Sequence, residues 1–371
     1  MEELFYFVFG FLVIRFMVSG YNFFCRANIP HHPLPEDRPK ISILIPARNE
    51  AENLPHLFHI LRSLARADRE IIILDDGSED ETARMLEAQL SRIPGFRWIQ
   101  GGRLPEGWLG KNYACHQLAL AAKGEYFLFL DADIQQVDSA FIDRAVHEMQ
   151  TRELDCLSVF PDQIMESPGE QMVVPLMHYL LLSMLPLPWV MRSPFVTMSA
   201  ANGQFMLFQA ASYRSYLWHA RVKSEIVEDI KIMQTVKRLK RRGMTYLSEG
   251  EIQTRMYPGY WQAVQGFSKN LFAGFNNSFV GILVYLFAAY GAWGWLVWEL
   301  PTTKLCASSA LILGIRMWIS LSARQSIWRN WMLHPIQMAS IILISLVSLY
   351  KWITGKNEWK GRNVQLRRVS Y

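Results

Sequence analysis

Residues 126–133 read YFLFLDAD, a hydrophobic run that ends in two aspartates. Asp131 and Asp133 are two positions apart, so their carboxylates leave the end of a strand on the same side. Carboxylate oxygens are preferred ligands of Mg²⁺ and Mn²⁺, particularly where the ion also contacts a diphosphate. Because an acidic pair of this kind also occurs in ordinary loops, its meaning depends on the surrounding sequence.

Outward from this run, stretches of strand and helix character alternate along the chain. The predicted strands are 40–46, 70–74, 96–100 and 126–130, and the predicted helices are 50–67, 80–91, 113–122 and 138–149. Weaker signals follow for strands at 204–208 and 244–247 and for helices from 210 and at 225–241. Repeated strand–helix units predict an α/β domain with a mostly parallel sheet, whose ligands bind at the carboxyl ends of the strands.

A second acidic turn follows the second predicted strand, in the sequence LDDGSED at 74–80. Asp75 and Asp76 stand at the end of the strand, and Asp80 is placed to cap the next helix. A turn before a capped helix is common without any function. Two carboxylate turns at one edge of a sheet, however, bring like charges together, which favours a bound cation or a hydrogen-bonded ligand.

Two further polar segments reach the same edge. The first strand ends in IPARNE at 45–50, and Gly110-Lys111-Asn112 opens the helix after the third strand. A lysine at a helix N-terminus favours the binding of phosphate oxygens. The segment lacks the spacing of a phosphate-binding P-loop.

These segments, IPARNE, LDDGSED, GKNYA and DAD, resemble in order and spacing the pattern of family 2 glycosyltransferases, over about residues 40–257. The resemblance implies a GT-A fold in which Asp76 contacts the nucleotide base, while Asp131 and Asp133 lie at a divalent metal and the diphosphate. It also implies that Asp229, in the pair Glu228-Asp229, is the catalytic base. Without the resemblance, a solvated acidic face before a basic helix end would be the favoured interpretation of that pair.

The resemblance thus implies three sets of site residues and Mg²⁺ or Mn²⁺ as cofactor. The expected nucleotide-sugar contacts are Pro46, Ala47, Asn49, Glu50, Asp75, Asp76, Lys111 and Asp131; the metal ligands are Asp131 and Asp133; the catalytic pair is Glu228 and Asp229.

Three more segments indicate a particular group within this family. They are LPEGWLGK at 104–111, GFSKN at 266–270 and WKGR at 359–362. They are similar to bacterial enzymes that glycosylate carotenoid acids such as diaponeurosporenoate, and to their hopanoid-associated relatives. No Gln-x-x-Arg-Trp motif follows the acidic pair. Its absence from the sequence argues against a processive polysaccharide synthase.

The N-terminal segment is hydrophobic enough to cross a membrane. Residues 4–24 are almost continuously apolar, and the flanking charges favour a retained anchor over residues 1–25, with the following domain in the cytoplasm. A proline-rich linker is expected over 26–39. A buried helix of a soluble protein is the alternative for the first segment.

The other apolar segments predict a C-terminal membrane region over 258–371. Segments of near-spanning length lie at 279–298, 305–321 and 336–352, followed by a basic tail. The basic loop 324–329 should be cytoplasmic, although a crossing last segment would then place the basic tail outside, so a re-entrant segment is an alternative. Residues 172–191 are expected to lie along the bilayer surface, because a crossing there would divide the catalytic domain.

Aromatic residues are dense just before the first C-terminal segment, at Tyr257, Tyr260, Trp261, Phe267, Phe272 and Phe275. They are candidates for an acceptor entrance, although aromatic enrichment is expected at any bilayer interface.

Composition excludes several other classes. The net charge of +5 is spread over separate basic clusters, so no nucleic-acid partner is expected. The four cysteines share no pairing or metal-ligand spacing, which favours a reducing compartment.

Together these features predict an inverting glycosyltransferase, multi-pass in the cell membrane with its catalytic domain in the cytoplasm. It would move a hexose from a nucleotide-diphosphate sugar, with UDP-glucose as the expected donor, to a lipid acceptor, with a carotenoid acid suggested by the resemblance. A polyprenyl-phosphate sugar synthase or another glycolipid synthase would share the catalytic pattern and is an alternative. A membrane scaffold that binds a nucleotide sugar without catalysis is another.

Overall fold

The computed structural model describes residues 2–34, 38–90, 95–275, 278–291, 301–356 and 358–363. They form two compact units. The helical unit comprises the described residues within Met1–Ala27, Gln163–Val190 and Met256–Asn357. The sheet unit comprises those within Asn28–Asp162 and Met191–Arg255, together with the described residues from Glu358 onward.

Twelve strands lie in the described residues. They are β1 Ile41–Ala47, β2 Arg69–Asp75, β3 Phe96–Gln100, β4 Tyr126–Leu130, β5 Ile134–Val137, β6 Cys156–Phe160, β7 Asp162–Gln163, β8 Phe205–Gln209, β9 Gly243–Leu247, β10 Ile252–Thr254, β11 Glu358–Trp359 and β12 Arg362–Asn363. The main sheet has the order β3-β2-β1-β4-β8-β6-β9. Only β8 runs antiparallel to its neighbours, β4 and β6. The predicted α/β fold with a mostly parallel sheet is therefore confirmed.

The α-helices of the described residues are numbered in chain order. They are α1 Glu2–Phe24, α2 Leu54–Leu64, α3 Thr82–Leu90, α4 Gly110–Ala121, α5 Ser139–Thr151, α6 Pro168–Val173, α7 Pro175–Met184, α8 Leu187–Val190, α9 Ala210–Tyr216, α10 Trp218–Arg221, α11 Glu228–Arg238, α12 Tyr260–Gly274, α13 Phe279–Leu286, α14 Thr302–Ser322, α15 Ile327–Met332 and α16 His334–Thr354. A π-helical turn, Phe287–Gly291, continues α13.

The central strand β1 is apolar along most of its length because both faces of the sheet are covered. Ile43 and Ile45 point into one hydrophobic core, and Leu44 points into the other. This alternation is what a strand between two helical layers requires. Since β1, β2 and β4 are parallel neighbours, their carboxyl ends meet at one edge.

Several local predictions differ from the structure. The strands β5, β6 and β10 were not predicted, and β6 pairs with β8, which lies far away in sequence. The helix expected at 225–241 spans Glu228–Arg238, which places the acidic pair in its first turn. The helix expected at 50–67 begins at Leu54, because Asn49 has a left-handed backbone (φ 51°) and a turn follows it.

Three helices of the helical unit are long and apolar enough to cross a membrane: α1, α14 and α16. The helices α12 and α13 would make a fourth if they form one span, bent by 112°. The predicted segments 305–321 and 336–352 correspond to α14 and α16, whereas 279–298 lies partly outside the described residues. The segment 172–191 consists of short helices, with new helices beginning near Pro175 and Pro186.

Polar contacts attach α1 to the segment that contains α7 and α8. Arg15 is buried, donates to the Ser183 hydroxyl at 2.9 Å and lies over the Tyr179 ring. The Asn22 side chain donates to the carbonyl of Leu182 and accepts from the backbone N–H of Leu187, both at 2.8 Å. The apolar segment 172–191 therefore packs against the N-terminal helix within this unit.

The aromatic cluster before α13 is mostly engaged in packing. Phe272 is buried and its ring lies 5.1 Å from that of Trp352 in α16, while the Tyr260 hydroxyl is 3.0 Å from the Ser340 hydroxyl. Only Trp261 of the six is largely exposed, at 64%. Packing between α12 and α16 therefore accounts for part of this aromatic enrichment.

Candidate active site

The loops after β1 and β2 are joined by hydrogen bonds. The Asp76 N–H donates to the Ala47 carbonyl at 2.8 Å, and Pro46 and Ala47 lie in register with the last residues of β2. Asp75 accepts from the Ser78 N–H at 3.2 Å, so its carboxylate stabilises the turn. Asp76 is almost fully buried.

Arg48 and Asn49 hold these two loops together. The buried Arg48 guanidinium donates to the carbonyls of Asp76 and Gly77 at 2.7 and 2.6 Å. The Asn49 N–H donates to the Ser78 hydroxyl at 2.9 Å, and its side-chain oxygen accepts from the Glu79 N–H at 2.8 Å. The polar groups of Asn49 thus shape the loop that surrounds Asp76.

Lys111 connects two of the predicted acidic residues. Its ammonium lies 2.8 Å from Asp131 and 3.1 Å from Glu228. Burial acts to lower the pKa of Lys111, but the charges of Asp131 and Glu228 outweigh burial and raise it well above its ordinary value. The preceding residue, Gly110, opens α4, and a Cβ there would lie 2.7 Å from the Asp76 carboxylate. Asp76 therefore lies close to the start of α4, and Lys111 joins this helix to Asp131 and Glu228.

Asp133 lies in a crowded acidic environment. The Gln204 amide donates to its carboxylate at 3.3 Å. Burial, together with the charges of Asp131 and Glu50, raises the pKa of Asp133 to about 7. A divalent cation would relieve this repulsion, and carboxylate oxygens suit Mg²⁺ or Mn²⁺.

The donor set fits a metal that is shared with a ligand. Among the residues that the structure describes, no group of three or more His, Cys, Asp or Glu side chains could hold a metal ion. Mg²⁺ is commonly held by one or two carboxylates and completed by phosphate oxygens and water. Asp131 and Asp133 would supply such a pair.

Asp229 is oriented by two backbone donors. Its carboxylate accepts from the N–H groups of Gly203 at 2.9 Å and Ile230 at 2.7 Å. Burial, followed by the charge of Glu228, raises the pKa of Asp229 to about 7. Since a general base works best with a pKa near the working pH, this environment suits proton transfer.

Gly203 lies where the charged side chains converge. A Cβ at this position would be 3.1 Å from the Glu228 carboxylate, 3.2 Å from the Lys111 ammonium and 3.7 Å from the Asp229 carboxylate. The lack of a side chain therefore allows α11 to approach Lys111.

Asn112 positions α11 from the first turn of α4. Its buried side-chain amide donates to the carbonyls of Val222 at 2.8 Å and Glu225 at 3.0 Å. The Leu109 N–H donates to the Lys223 carbonyl at 2.8 Å. The loop before Glu228 is thereby fixed to the helix that carries Lys111.

The structure thus links most of the predicted polar residues at one edge of the sheet. The linked carboxylates and the lysine are Glu50, Asp76, Lys111, Asp131, Asp133, Glu228 and Asp229. Asp75 and Asn49 form the loop hydrogen bonds, whereas Pro46 and Ala47 belong to β1.

Sequence reasoning missed residues that shape this site. Arg48, Asn112 and Arg362 lie in the segments IPARNE, GKNYA and WKGR, but their contacts depend on the fold. Gly203 and Gln204 precede a strand that joins the sheet antiparallel, and no local motif marks them.

Comparison with known proteins identifies the family of the domain that contains this site. Residues 42–216 match the family model described as glycosyl transferase family 2. Over these residues the chain therefore carries a family 2 glycosyltransferase domain, and the mostly parallel α/β sheet described above is of GT-A type.

Its relatives include two staphylococcal proteins named 4,4'-diaponeurosporenoate glycosyltransferase. The protein from Staphylococcus haemolyticus is 25% identical over 254 residues, which cover 66% of this chain and 64% of the relative. The protein from Staphylococcus aureus (strain USA300) is 32% identical over 126 residues, covering 33% of this chain and 32% of the relative. The matched part thus spans less than two thirds of the length of either relative.

A solved structure shares the fold at low sequence identity. The mannosyltransferase PcManGT from Pyrobaculum calidifontis, in complex with GDP-Man and Mn²⁺, has a TM-score of 0.58 and 14% identity. The match covers 94% of this chain and 99% of that protein. At this identity the likeness supports the GT-A fold.

Proposed function

We propose that this protein is an inverting glycosyltransferase that moves a hexose from a nucleotide-diphosphate sugar to a lipid acceptor. UDP-glucose is the expected donor and a carotenoid acid the expected acceptor. The observation that carries the proposal is the contact of Lys111 with both Asp131 and Glu228, beside Asp229 and at the carboxyl edge of the sheet. Ligands of such sheets bind at that edge.

The donor diphosphate would lie between α4 and the aspartates. Asp131 and Asp133 would hold Mg²⁺ or Mn²⁺, which when bound would offset the negative charge that grows on the departing diphosphate. Lys111 is cationic and fixed beside Asp131, so it can stabilise the same charge without rearrangement. Asp76, at the end of β2, would contact the nucleotide base.

Asp229 would act on the acceptor. For a hydroxyl acceptor, its carboxylate takes the proton as the new bond forms at the anomeric carbon. A carboxylic-acid acceptor is already ionised at neutral pH, so Asp229 would then orient the acceptor more than deprotonate it. A single displacement from the face opposite the diphosphate inverts the anomeric configuration.

Two observations support a lipid acceptor in the cell membrane. Within the part of the chain that the structure describes, three helices are long and apolar enough to span a bilayer. Two relatives are named for the glycosylation of diaponeurosporenoate. We therefore propose a multi-pass protein with an anchor at 1–25, a catalytic domain at 40–257 facing the cytoplasm and, at 258–371, membrane segments followed by a basic tail.

Product analysis tests the proposal. Full-length protein in detergent would be incubated with UDP-glucose, Mn²⁺ and either a carotenoid acid or a polyprenyl phosphate, and the lipids examined by mass spectrometry. We expect a hexosyl ester of the carotenoid acid. A hexosyl polyprenyl phosphate alone would assign the alternative synthase activity, and no transfer to either lipid, with no sugar-nucleotide hydrolysis, would contradict an enzymatic function.

A further inference from the structure

The tail residues of the sheet unit form a small hairpin. β11 and β12 pair antiparallel, with Trp359 opposite Arg362. Lys360 and Gly361 form the turn and both have positive φ, 46° and 77°. Two-residue hairpins with this backbone match the natural twist of their strands. The hairpin therefore presents Lys360 and Arg362 from a defined turn.

Lys360 attaches the hairpin to the loop after β1. Its ammonium donates to the Arg48 carbonyl at 2.8 Å and forms an ion pair with Glu50. In return, the Lys360 carbonyl accepts from the Arg48 guanidinium at 3.0 Å. This reciprocal pairing fixes the hairpin to a loop of the candidate active site.

Arg362 reaches the residue that is expected to contact the nucleotide. One guanidinium nitrogen lies 2.6 Å from the Asp76 carboxylate, and another donates to the Asp76 carbonyl at 2.9 Å. The Asp76 side chain is only 5% exposed, and that of Arg362 is 28% exposed. Arg362 is therefore held firmly by Asp76 while part of its surface faces outward.

The same guanidinium lies at the start of α4. A Cβ on Gly110 would come within 2.6 Å of it and within 2.7 Å of the Asp76 carboxylate. A cation at a helix N-terminus meets the positive end of the helix dipole, an unfavourable arrangement that Asp76 offsets here. A phosphate at this place would be favoured by both the helix end and the guanidinium.

We propose that the tail hairpin completes the donor site, with Arg362 binding the diphosphate of a nucleoside diphosphate and Lys360 holding the hairpin in position. The inference rests on the proposed function, because it assigns an additional residue to the same donor. Arg362 keeps its contact with Asp76 and uses its exposed edge for the phosphate oxygens. The segment WKGR thereby gains a role in donor binding.

Binding and kinetics of full-length variants in detergent test this inference. Calorimetry with UDP or GDP, each in Mn²⁺, would compare the wild type with Arg362→Ala, Arg362→Lys and Lys360→Ala. Arg84→Ala is the matched control, since Arg84 is an exposed arginine that pairs with Glu81 on the protein surface. Melting temperatures would be measured for every variant.

We expect Arg362→Ala to weaken nucleoside-diphosphate binding about tenfold or more, the scale of a lost charge-assisted hydrogen bond. It should lower kcat/KM for the donor by a similar factor or more, because a cation on the departing diphosphate is lost. Arg362→Lys should recover part of the affinity, Lys360→Ala should weaken binding less than Arg362→Ala, and Arg84→Ala should match the wild type.

Unchanged binding in Arg362→Ala would overturn the inference, and so would tighter binding, which would show that the hairpin blocks the site. If Arg362→Ala does not fold, Arg362→Lys decides: unchanged or tighter binding than the wild type overturns the inference, and weaker binding supports it. Wild-type protein that binds neither UDP nor GDP would instead overturn the proposed function.

Discussion

The two ends of β2 carry clusters of buried charge with different chemistry. At its beginning, Arg69 is buried and lies 2.6 Å from Asp143 of α5. Arg66 and Arg38 contact the same carboxylate at 2.7 and 2.9 Å. At the other end, β2 leads to Asp76 and the acidic edge, where Lys111 lies between two carboxylates and further carboxylates surround it.

The charges at the beginning of β2 stabilise the fold, whereas those at its other end are available for chemistry. Near the beginning of β2, burial acts to raise the pKa of Asp68, but its contacts with Arg66 lower that pKa below its ordinary value. At the acidic edge, burial and neighbouring carboxylates raise the pKa of Asp133 and of Asp229 to about 7. Carboxylates outnumber cations there, which favours a bound cation.

The largest effect on activity should come from Asp133→Asn. This change removes a proposed metal ligand and keeps the shape of the side chain, so kcat/KM should fall by about 10³-fold. Melting temperature should stay at the wild-type value or rise, because crowding of like charges is reduced. Transfer assays over a range of Mn²⁺ concentrations would measure the loss, and wild-type activity in this variant would remove Asp133 from the site.

The largest effect on stability should come from the opposite end, in Asp143→Ala. Loss of this carboxylate leaves the buried Arg69 without its ion pair, which should cost about 3–5 kcal/mol of unfolding free energy. Activity per folded molecule should change by less than about twofold, since Asp143 lies outside the site. Thermal unfolding measures the stability, and a transfer assay measures the activity. Loss of activity without loss of stability would contradict the proposed difference between the two ends of β2.

Asp229→Asn should have an intermediate effect whose size reports on the acceptor. With a carboxylic-acid acceptor, no proton has to be removed, so the loss of kcat should be about tenfold to a hundredfold and smaller than that of Asp133→Asn. Both variants would be assayed with the lipid acceptor that the wild-type protein uses. Equal losses would indicate a hydroxyl acceptor.

Gly203→Ala should have a smaller effect on activity. The added methyl group would come within 3.2 Å of the Lys111 ammonium and 3.1 Å of the Glu228 carboxylate, so both must shift slightly. We expect about a tenfold loss of kcat/KM with little change in unfolding temperature. The control is Gly10→Ala, because no atom lies within 4 Å of a Cβ added at Gly10. Gly107→Ala is unsuitable as a control, since Gly107 has a positive φ of 77° that strains any side chain.

The last prediction concerns the dependence of stability on pH. Burial and the charge of Glu228 raise the pKa of Asp229 from an ordinary value of 3.8 to about 7 in the folded protein. The folded protein therefore binds the carboxyl proton of Asp229 more tightly than the unfolded chain does. Its contribution to stability is complete below about pH 4 and lost as the pH rises through 7. The melting temperature of Asp229→Asn should therefore rise relative to that of the wild type as the pH increases from 5 to 8. A pH-independent difference would contradict the raised pKa.

Most of the main sheet was predictable because its strands, apart from β6, were recognised as short apolar runs. The runs that became β3 and β4 were predicted with the observed bounds, and Asp80 does cap the start of α3 by accepting from the Thr82 N–H at 3.0 Å. The acidic edge followed from strand order, since parallel neighbours end together.

Other features depend on partners that are distant in sequence. The pairing of β6 with β8 and the hydrogen bonds of Asn112 to the loop before α11 arise only from tertiary packing. The contact of Arg362 with Asp76 spans 286 residues of chain, and no periodicity or local motif encodes it. Long-range placement of side chains was therefore the main part that sequence could not provide.

Metal-dependent nucleotide binding tests the account most directly. The affinity of the wild type and of Asp133→Asn for UDP would be measured by calorimetry, with and without Mn²⁺. We predict that the wild type binds UDP much more tightly with the ion and that Asp133→Asn loses this gain. Equal affinity in both proteins, whether or not Mn²⁺ is present, would contradict the assignment of the acidic edge as the donor site.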